Sequence, residues 1–436
     1  MIPLQKGSKK LLNAWAFYDW SNSVYSLVIS SAIFPLFFGQ LFKHRPNLYI
    51  DFMGMNFKNT ALISFVTALA FFVVAVISPF LSGIADFLGN KKRFMQFFCY
   101  LGSISCIGLY WFDLDQLFFS LACYFFGLIG FWGSLVFYNS YLPDIAHKEQ
   151  QDGLSAKGYS LGYIGSVILM IFNLILVMKP DWFGITGTAE EAALLAMRIS
   201  FLTVGIWWMG FSQYTFYYLP VYEKKGKLTT GILFSGFKEL KNVWNLLGQQ
   251  PQLKRYLTAF FVYSMAVQTV MLVATFFGEQ VILWKDDNEK QIGLIVSILM
   301  IQLVAVGGAI LTSKLSSKYG NIKVLMGINF IFVIICTVAY FVSLPIHFYI
   351  TAAFVGLVMG GIQSLSRSTY SKFLPETKDT TSFFSFYDVT EKVGIVIGMF
   401  LYGYIDQLTG SMRNAIVFLI VFFLFGIYLL KKMDKH

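Results

Sequence analysis

Residues Asn13–Phe38 read NAWAFYDWSNSVYSLVISSAIFPLFF, and the fold follows from what this run tolerates. At the helical 100° per residue, Asp19, Asn22, Ser23, Ser26 and Ser30 fall in one narrow stripe, while the rest of the circumference is aromatic or aliphatic. Such a helix faces lipid or other apolar helices on most sides and something polar along one. An ionised carboxylate at a membrane helix centre costs roughly 3 kcal/mol, so it normally turns toward a bundle interior or a cavity. The stretch reads as the wall of a pathway through a membrane.

Composition agrees with that reading. The 436 residues are 57% hydrophobic and only 13% charged, with mean hydropathy +0.65. A soluble globular protein carries about 25% charged residues. Strands of a membrane barrel would alternate every second residue, and these runs do not. The net charge of +10 is not a nucleic-acid signal, because the bases sit in short segments between apolar runs, where they set topology. Cys99, Cys106, Cys123 and Cys336 all lie inside apolar runs without metal-ligand spacing, which points to reduced thiols and no metal site.

A crossing needs about 20 mostly apolar residues. After the opening run, the chain offers Thr60–Ile84, Phe94–Phe112, Gln116–Tyr141, Lys157–Met178 and Leu195–Leu219. A polar segment follows, and then come Lys254–Leu283, Gln291–Ser313, Val324–Val342, His347–Ser371, Ser382–Ile405 and Arg413–Leu430. The expectation is an all-α membrane protein of twelve transmembrane helices. Two six-helix halves, residues 1–219 and 254–436, flank a linker at 220–253. Lys and Arg crowd into the segments on one side of these crossings, which predicts both termini cytoplasmic. Within the linker, GFKELKNVWNLL suits a short amphipathic helix on that surface.

The halves echo each other. SGIADFLGNKKRF (Ser82–Phe94) follows the second crossing, and TSKLSSKYGNIKVL (Thr312–Leu325) follows the eighth. Aligning Gly89 with Gly320 pairs Asn90 with Asn321 and Lys92 with Lys323. Paired six-helix repeats are the construction of many transporters. Polar lines recur on several other helices. The eleventh carries Ser385, Asp388, Glu391 and Lys392 on one face, with Asp388 and Lys392 at pairing distance in sequence. The tenth carries Gln363, Arg367 and Tyr370, and a guanidinium can grip a carboxylate with two hydrogen bonds. Arg367 is the natural partner of Glu391 or Asp19, and equally a candidate for a substrate carboxyl. Ser264, Gln268, Thr275 and Glu279 stripe the seventh; Tyr159, Tyr163, Ser166 and Asn173 the fifth; Trp132 and Asn139 the fourth. Together these lines describe a central cavity. No histidine sits at mid-membrane and no nucleotide-binding loop is present, which points away from a histidine relay and from direct ATP use.

A loop of the form G-x-x-x-D-x-x-G-x-basic-basic after the second crossing, carried here by Gly83, Asp86, Gly89, Lys91 and Lys92, resembles the hallmark of the major facilitator superfamily. Within it the chain is similar to the autophagy-related vacuolar amino-acid effluxers and their bacterial relatives. The shared pieces are NAWAFYDWSNSVY (Asn13–Tyr25), FYNSYLPDIA (Phe137–Ala146), SAKGYSLGYIGS (Ser155–Ser166), GGIQSLSRSTYSKFLP (Gly360–Pro375) and FFSFYDVTEKVG (Phe383–Gly394). The resemblance implies secondary transport of an amino acid or small peptide, most simply export, by alternating access. It also implies a cytoplasmic latch of Gly83, Asp86, Gly89, Lys91, Lys92, Arg93 and Asp144. In that latch Asp86 meets the N-terminus of the eleventh helix and Asp144 joins Lys157.

The expected substrate or proton contacts are Asp19, Asn22, Ser26, Asn139, Tyr163, Asn173, Gln268, Gln363, Arg367, Asp388, Glu391 and Lys392. Asp19 would take an ammonium or a proton, and Arg367 a carboxyl. The expected surroundings are a small-molecule substrate, the lipid bilayer of a bacterial inner membrane, protons as coupling ion, no cofactor, no nucleic acid and a monomer. Catalysis is not expected, since no nucleophile–base set is visible. Lipid flipping and a non-transporting sensor with the same fold are the competing readings.

Overall fold

The computed structural model describes residues 4–43, 45, 49–221 and 232–433. Part of the expected linker (222–231), His44 and His436 lie outside them. The order of elements follows from long apolar runs broken by Gly, Pro and charged turns. Helix α1 spans Lys9–Gln40, α2 Asn59–Leu88, α3 Lys91–Gly108, α4 Leu117–Asn139, α5 Lys148–Met178 and α6 Ala189–Tyr218. Then come α7 Ile232–Gln249, α8 Pro251–Val281, α9 Asp287–Tyr319, α10 Asn321–Ala339, α11 Pro345–Phe373, α12 Thr380–Thr409 and α13 Met412–Met433.

Eleven described helices are long and apolar enough to cross a membrane, one fewer than the sequence count. The twelfth long helix is α12, whose 30 residues include Asp388, Glu391 and Lys392 close together. Several helices also run past their apolar cores. α5 begins at Lys148 rather than Lys157, because the polar turn Lys148–Ala156 continues the helix outside the apolar run. Thr188 and Glu191 form a capping box at the start of α6, each bonding the other's backbone N–H. Pro251 and Pro345 open α8 and α11, where a missing N–H costs nothing.

Two features escape periodicity. Residues Tyr25–Ile33 of α1 are π-helical, and the Ser31 hydroxyl donates to the Ser26 carbonyl five residues back, at the π spacing. Between α1 and α2, β1 (Tyr49–Phe52) and β2 (Met55–Lys58) form an antiparallel hairpin. Met53 and Gly54 turn it with positive φ at both positions, as a tight hairpin requires.

Two large apolar cores organise the helices. One gathers buried residues from Leu11 to Leu219, the other from Val243 to Leu430. They meet where α5 packs on α9 and α11, and α12 on α2 and α4. A small apolar cluster of Tyr163, Ala305 and Met359 lies at that seam. Helix α7 packs on α2 and α12. Its Val243 and Leu247 are buried, its Lys238, Lys241 and Asn242 are exposed, and Trp244 contacts Phe386 at 5.5 Å.

Candidate translocation site and inter-bundle contacts

Arg367, on α11 of the second bundle, is 2% exposed and held entirely by the first. Its Nε donates to Ser155 Oγ (2.9 Å), Nη1 to Asn139 Oδ1 (3.2 Å) and Nη2 to the Ser155 carbonyl (3.0 Å). Nη1 and Nη2 both reach Asp19 Oδ2 at 3.3 Å. That oxygen also accepts from the Tyr138 hydroxyl at 2.8 Å. The guanidinium carbon lies 4.2 Å from the Tyr159 ring centre, 4.9 Å from Trp15 and 5.5 Å from Tyr138. Trp15 is in turn pinned by its indole N–H on the Tyr138 carbonyl. A buried ion pair persists only when its remaining donors are met and its ring faces desolvate it favourably; all three nitrogens here are bonded.

Backbone proximity makes room for the pair. A Cβ on Gly158 of α5 would stand 2.4 Å from Asp19 Oδ2 and 3.1 Å from Arg367 Nη2. The helices bearing Asp19 and Gly158 therefore approach as closely as glycine allows.

The α12 charges form a second group. Lys392 pairs with Asp388 one turn back, and its ammonium lies 4.3 Å above the ring of Trp132 on α4. Both side chains are almost fully buried, and Asp388 Oδ2 has no hydrogen-bond partner. Glu391 accepts from Gln268 Nε2 of α8 at 2.7 Å. The cluster thus holds two carboxylates against one ammonium. Across the seam, the Tyr163 hydroxyl donates to Gln363 Oε1 at 2.6 Å, and Ser155 to the Ser364 carbonyl at 2.7 Å.

At the face bearing the basic loops, two further contacts join the bundles. Gly89 ends α2 in the left-handed conformation that favours glycine. Asp86, one turn earlier, accepts from the backbone N–H of Thr381 (3.2 Å) and Ser382 (2.7 Å), the second and third residues of α12. It caps that helix from another element, since the side chain of Asp379 makes no cap bond. Lys91 pairs with Asp144 and donates to Thr380 Oγ1 at 3.1 Å. On the other flank, Asp152 of α5 accepts from Asn321 Nδ2 (2.9 Å) and Ser316 Oγ (3.1 Å) and pairs with Lys372.

Several expectations need correcting. Asp144 bonds Lys91 and not Lys157, whose ammonium instead reaches Asn13 Oδ1 at 2.6 Å. Lys92 leaves the expected latch group and donates to the Leu219 carbonyl at 3.0 Å. Arg367 is no open carboxyl receptor in this conformation, because Asp19 already occupies it. Asn173 is buried against Thr203 of α6 (2.9 Å) inside the first bundle, and no described bond ties it to the Arg367 group. On α1, Asp19 and Asn22 are buried, and Ser26 and Ser30 lie exposed in the π turn. Glu279 is exposed. Gly83 is buried near the end of α2. Residues that were not anticipated are Trp15, Tyr138 and Ser155 around Arg367, and the Asp152–Lys372 pair. Trp15, Tyr138, Ser155 and Lys372 lie within the stretches shared with the effluxer family and Asn321 within the repeated loop, whereas Asp152 lies in neither.

A helical membrane protein of two packed bundles, joined by buried polar contacts at their seam, is a transporter of the major facilitator class. Solved structures of that class share the fold. The E. coli fucose:proton symporter FucP superposes with TM-score 0.68 over 97% of each chain at 14% identity. The proton:xylose symporter XylE superposes with TM-score 0.70 over 98% of this chain and 95% of that one at 12% identity. The chain belongs to the vacuole effluxer Atg22-like family, whose family model matches residues 7–436. An uncharacterized MFS-type transporter of Bacillus subtilis (strain 168), YxiO, is 31% identical over 98% of this chain and 95% of its own length. Autophagy-related protein 22-1 of Phaeosphaeria nodorum is 21% identical over 97% of this chain and 90% of its own length.

Proposed function

We propose that this protein exports a small polar organic solute, an amino acid or short peptide, by alternating access, with the basic face cytoplasmic in a bacterial inner membrane. The residue halves 1–219 and 254–436 rock as bodies about the seam. The carrying observation is that Arg367 belongs to one bundle and all its polar partners to the other. Opening that face requires Arg367 to leave Asp19, which frees one carboxylate and one guanidinium together. Those groups are complementary to the ammonium and carboxylate of an amino acid, and a released buried charge is costly until it is re-paired. Asn139, Gln363 and Tyr163 supply neutral hydrogen bonds nearby. Glu391 is the carboxylate in excess on α12 and takes a proton, a role consistent with the proton symporters that share the fold.

The family's description as effluxers supports the direction of transport. The test is counterflow in proteoliposomes with a panel of labelled amino acids and dipeptides, comparing wild type with Asp19→Asn and Glu391→Gln. Uptake of at least one panel member, lost in Asp19→Asn and uncoupled from a proton gradient in Glu391→Gln, is expected. No movement of any member refutes the substrate class.

A further inference from the structure

Helices α9, α10 and α11 enclose a groove of about 390 Å³ away from the seam. Its lining residues Leu311, Leu315 and Ile331 are exposed on membrane-crossing helices, so the groove opens to the bilayer. The floor is rigid. A Cβ on Gly308 would stand 2.0 Å from the Leu357 carbonyl oxygen, one on Gly356 2.5 Å from that of Ile301, and one on Gly360 2.1 Å from that of Ala305. Helices α9 and α11 therefore touch backbone to backbone. The walls part because α9 and α10 share only Gly320 between them and α9 packs far more closely on α11 than on α10. Gly327 keeps the α10 wall bare: it is exposed, and a Cβ there would meet nothing within 4 Å.

Length and charge restrict what fills this groove. Along α9 the lining runs from Gly308 to Tyr319, a span of about 16 Å at about 1.5 Å per residue, or about half of a hydrocarbon core roughly 30 Å thick. The groove is thus one leaflet deep. Its deep part is apolar, and its end at the basic face carries Tyr319 and Lys323. The Lys318 ammonium lies 5.1 Å from the Tyr319 ring centre, which brings a second cation to that end. No Asp or Glu occurs between Glu289 and Glu376, so α9, α10 and α11 past that first turn offer no counter-ion. Arg367 and Lys372 of the same stretch find their acids across the seam. Among the described residues Lys318 and Lys323 form no ion pair. A zwitterionic lipid would fill the slot and bring its own cation to these two. An acyl chain that ends in a net-negative headgroup matches both the slot and its mouth.

We infer that this groove is a binding site for an anionic phospholipid of the leaflet at the basic face. One acyl chain lies between α9 and α10 over the α11 floor, and the headgroup phosphate accepts from the Lys318 and Lys323 ammoniums. The site borders the turn whose Ser316 and Asn321 bond Asp152 across the seam. It does not depend on which solute crosses at Asp19 and Arg367.

The test titrates full-length, delipidated protein in detergent with phosphatidylglycerol or with phosphatidylcholine of the same acyl chains, and counts bound lipid by native mass spectrometry. Phosphatidylglycerol fills its tightest site at about 30-fold lower concentration than phosphatidylcholine, each lysine near an anionic group contributing about fivefold. Gly327→Leu fills the groove, leaves both lysines in place and weakens phosphatidylglycerol binding about tenfold or more. Lys318→Gln/Lys323→Gln, at two exposed positions that do not bear on folding, removes the preference for phosphatidylglycerol and leaves phosphatidylcholine binding as it was. Lys254→Gln/Arg255→Gln, which deletes two exposed charges at the start of α8, changes neither. Glycerol phosphate, a headgroup without chains, does not displace the lipid. Equal affinity of the wild type for the two lipids, unchanged affinity in Gly327→Leu, the same loss in Lys254→Gln/Arg255→Gln, or displacement by glycerol phosphate each overturns the proposal. A dimer that disappears in Gly327→Leu puts a second copy of the chain in the groove and overturns it as well.

Discussion

Gly158→Ala adds one methyl group at the point where the bundles' central ion pair leaves no room. Its Cβ would stand 2.4 Å from Asp19 Oδ2 and 3.1 Å from Arg367 Nη2, whereas ordinary contact begins at 3.4 Å, so the carboxylate must retreat by about 1 Å. The pair now stands at 3.3 Å. With an effective dielectric of about 20, the attraction is about 5 kcal/mol at that distance and about 4 kcal/mol after retreat, a loss of about 1 kcal/mol. One charge-assisted hydrogen bond goes with it, worth about 1.5–3 kcal/mol. The combined loss, about 2–4 kcal/mol, falls only on the conformation in which the bundles meet at the basic face. It lowers the closed-to-open ratio by about 30-fold to several hundred-fold, since about 1.4 kcal/mol is a factor of ten. Alanine's better helix propensity acts on both conformations alike; Gly210→Ala, where a Cβ meets nothing within 4 Å, is the matched control. Spin labels at Glu149→Cys and Lys378→Cys, both exposed and on opposite bundles, report the opening as a longer-distance population. A distance distribution in Gly158→Ala identical to that of Gly210→Ala would refute the claim that this pair holds the face shut.

Three further outcomes follow from the same geometry. Lys392→Met strands the buried Asp388 carboxylate and lowers stability by about 3–5 kcal/mol, while Asp388→Asn/Lys392→Met restores most of it; thermal unfolding in detergent reads both. Asp86→Ala leaves the Thr381 and Ser382 N–H groups without acceptors, costs about 1–2 kcal/mol, and accelerates amide exchange at the start of α12 about tenfold or more. Asp152→Leu removes the acceptor of Ser316, Asn321 and Lys372 together, and Lys372 becomes accessible to amine-reactive label while the start of α12 keeps its protection.

Much of this was legible in one dimension. Asp19 and Arg367 stand out because each is an ionisable group in an otherwise apolar run, and the Asp388–Lys392 pair announces itself by helical spacing. What the chain does not display is which partner Arg367 selects. Asp19 lies 348 residues away, and Glu391 competes on equal terms until the packing sets Asp19 at 3.3 Å from Arg367 and Glu391 on Gln268. The aromatic cage is hidden for a different reason. With 18% aromatic residues there is no contrast by which Trp15, Tyr138 and Tyr159 could be singled out. The Asp152–Lys372 pair joins two residues that each read as a solvated helix end, 220 positions apart. The π turn at Tyr25–Ile33 departs from a period set at 100°, so spacing alone does not place Ser26 and Ser30 relative to Asp19.

The two flanking contacts of the basic face use the same hydrogen-bond chemistry with the roles exchanged. Aligning Gly89 with Gly320 sets Asp86 against Ser317, so the second loop has no carboxylate to offer. The acid stands instead on the facing helix, as Asp152, and the loop answers with Ser316 and Asn321. The cations differ correspondingly. Lys91 neutralises Asp144 within its own bundle, so that pair survives when the bundles separate. Lys372 neutralises Asp152 across the seam, as Arg367 does Asp19, so both of those pairs are broken by opening. The two are not equal in weight. Lys372 is a quarter exposed, and water re-solvates it at small cost, whereas the Arg367 site is nearly dry. Of the two cross-seam ion pairs, the Arg367 one is therefore the costlier to break, and an agent that opens this face must offer the guanidinium or Asp19 a substitute partner.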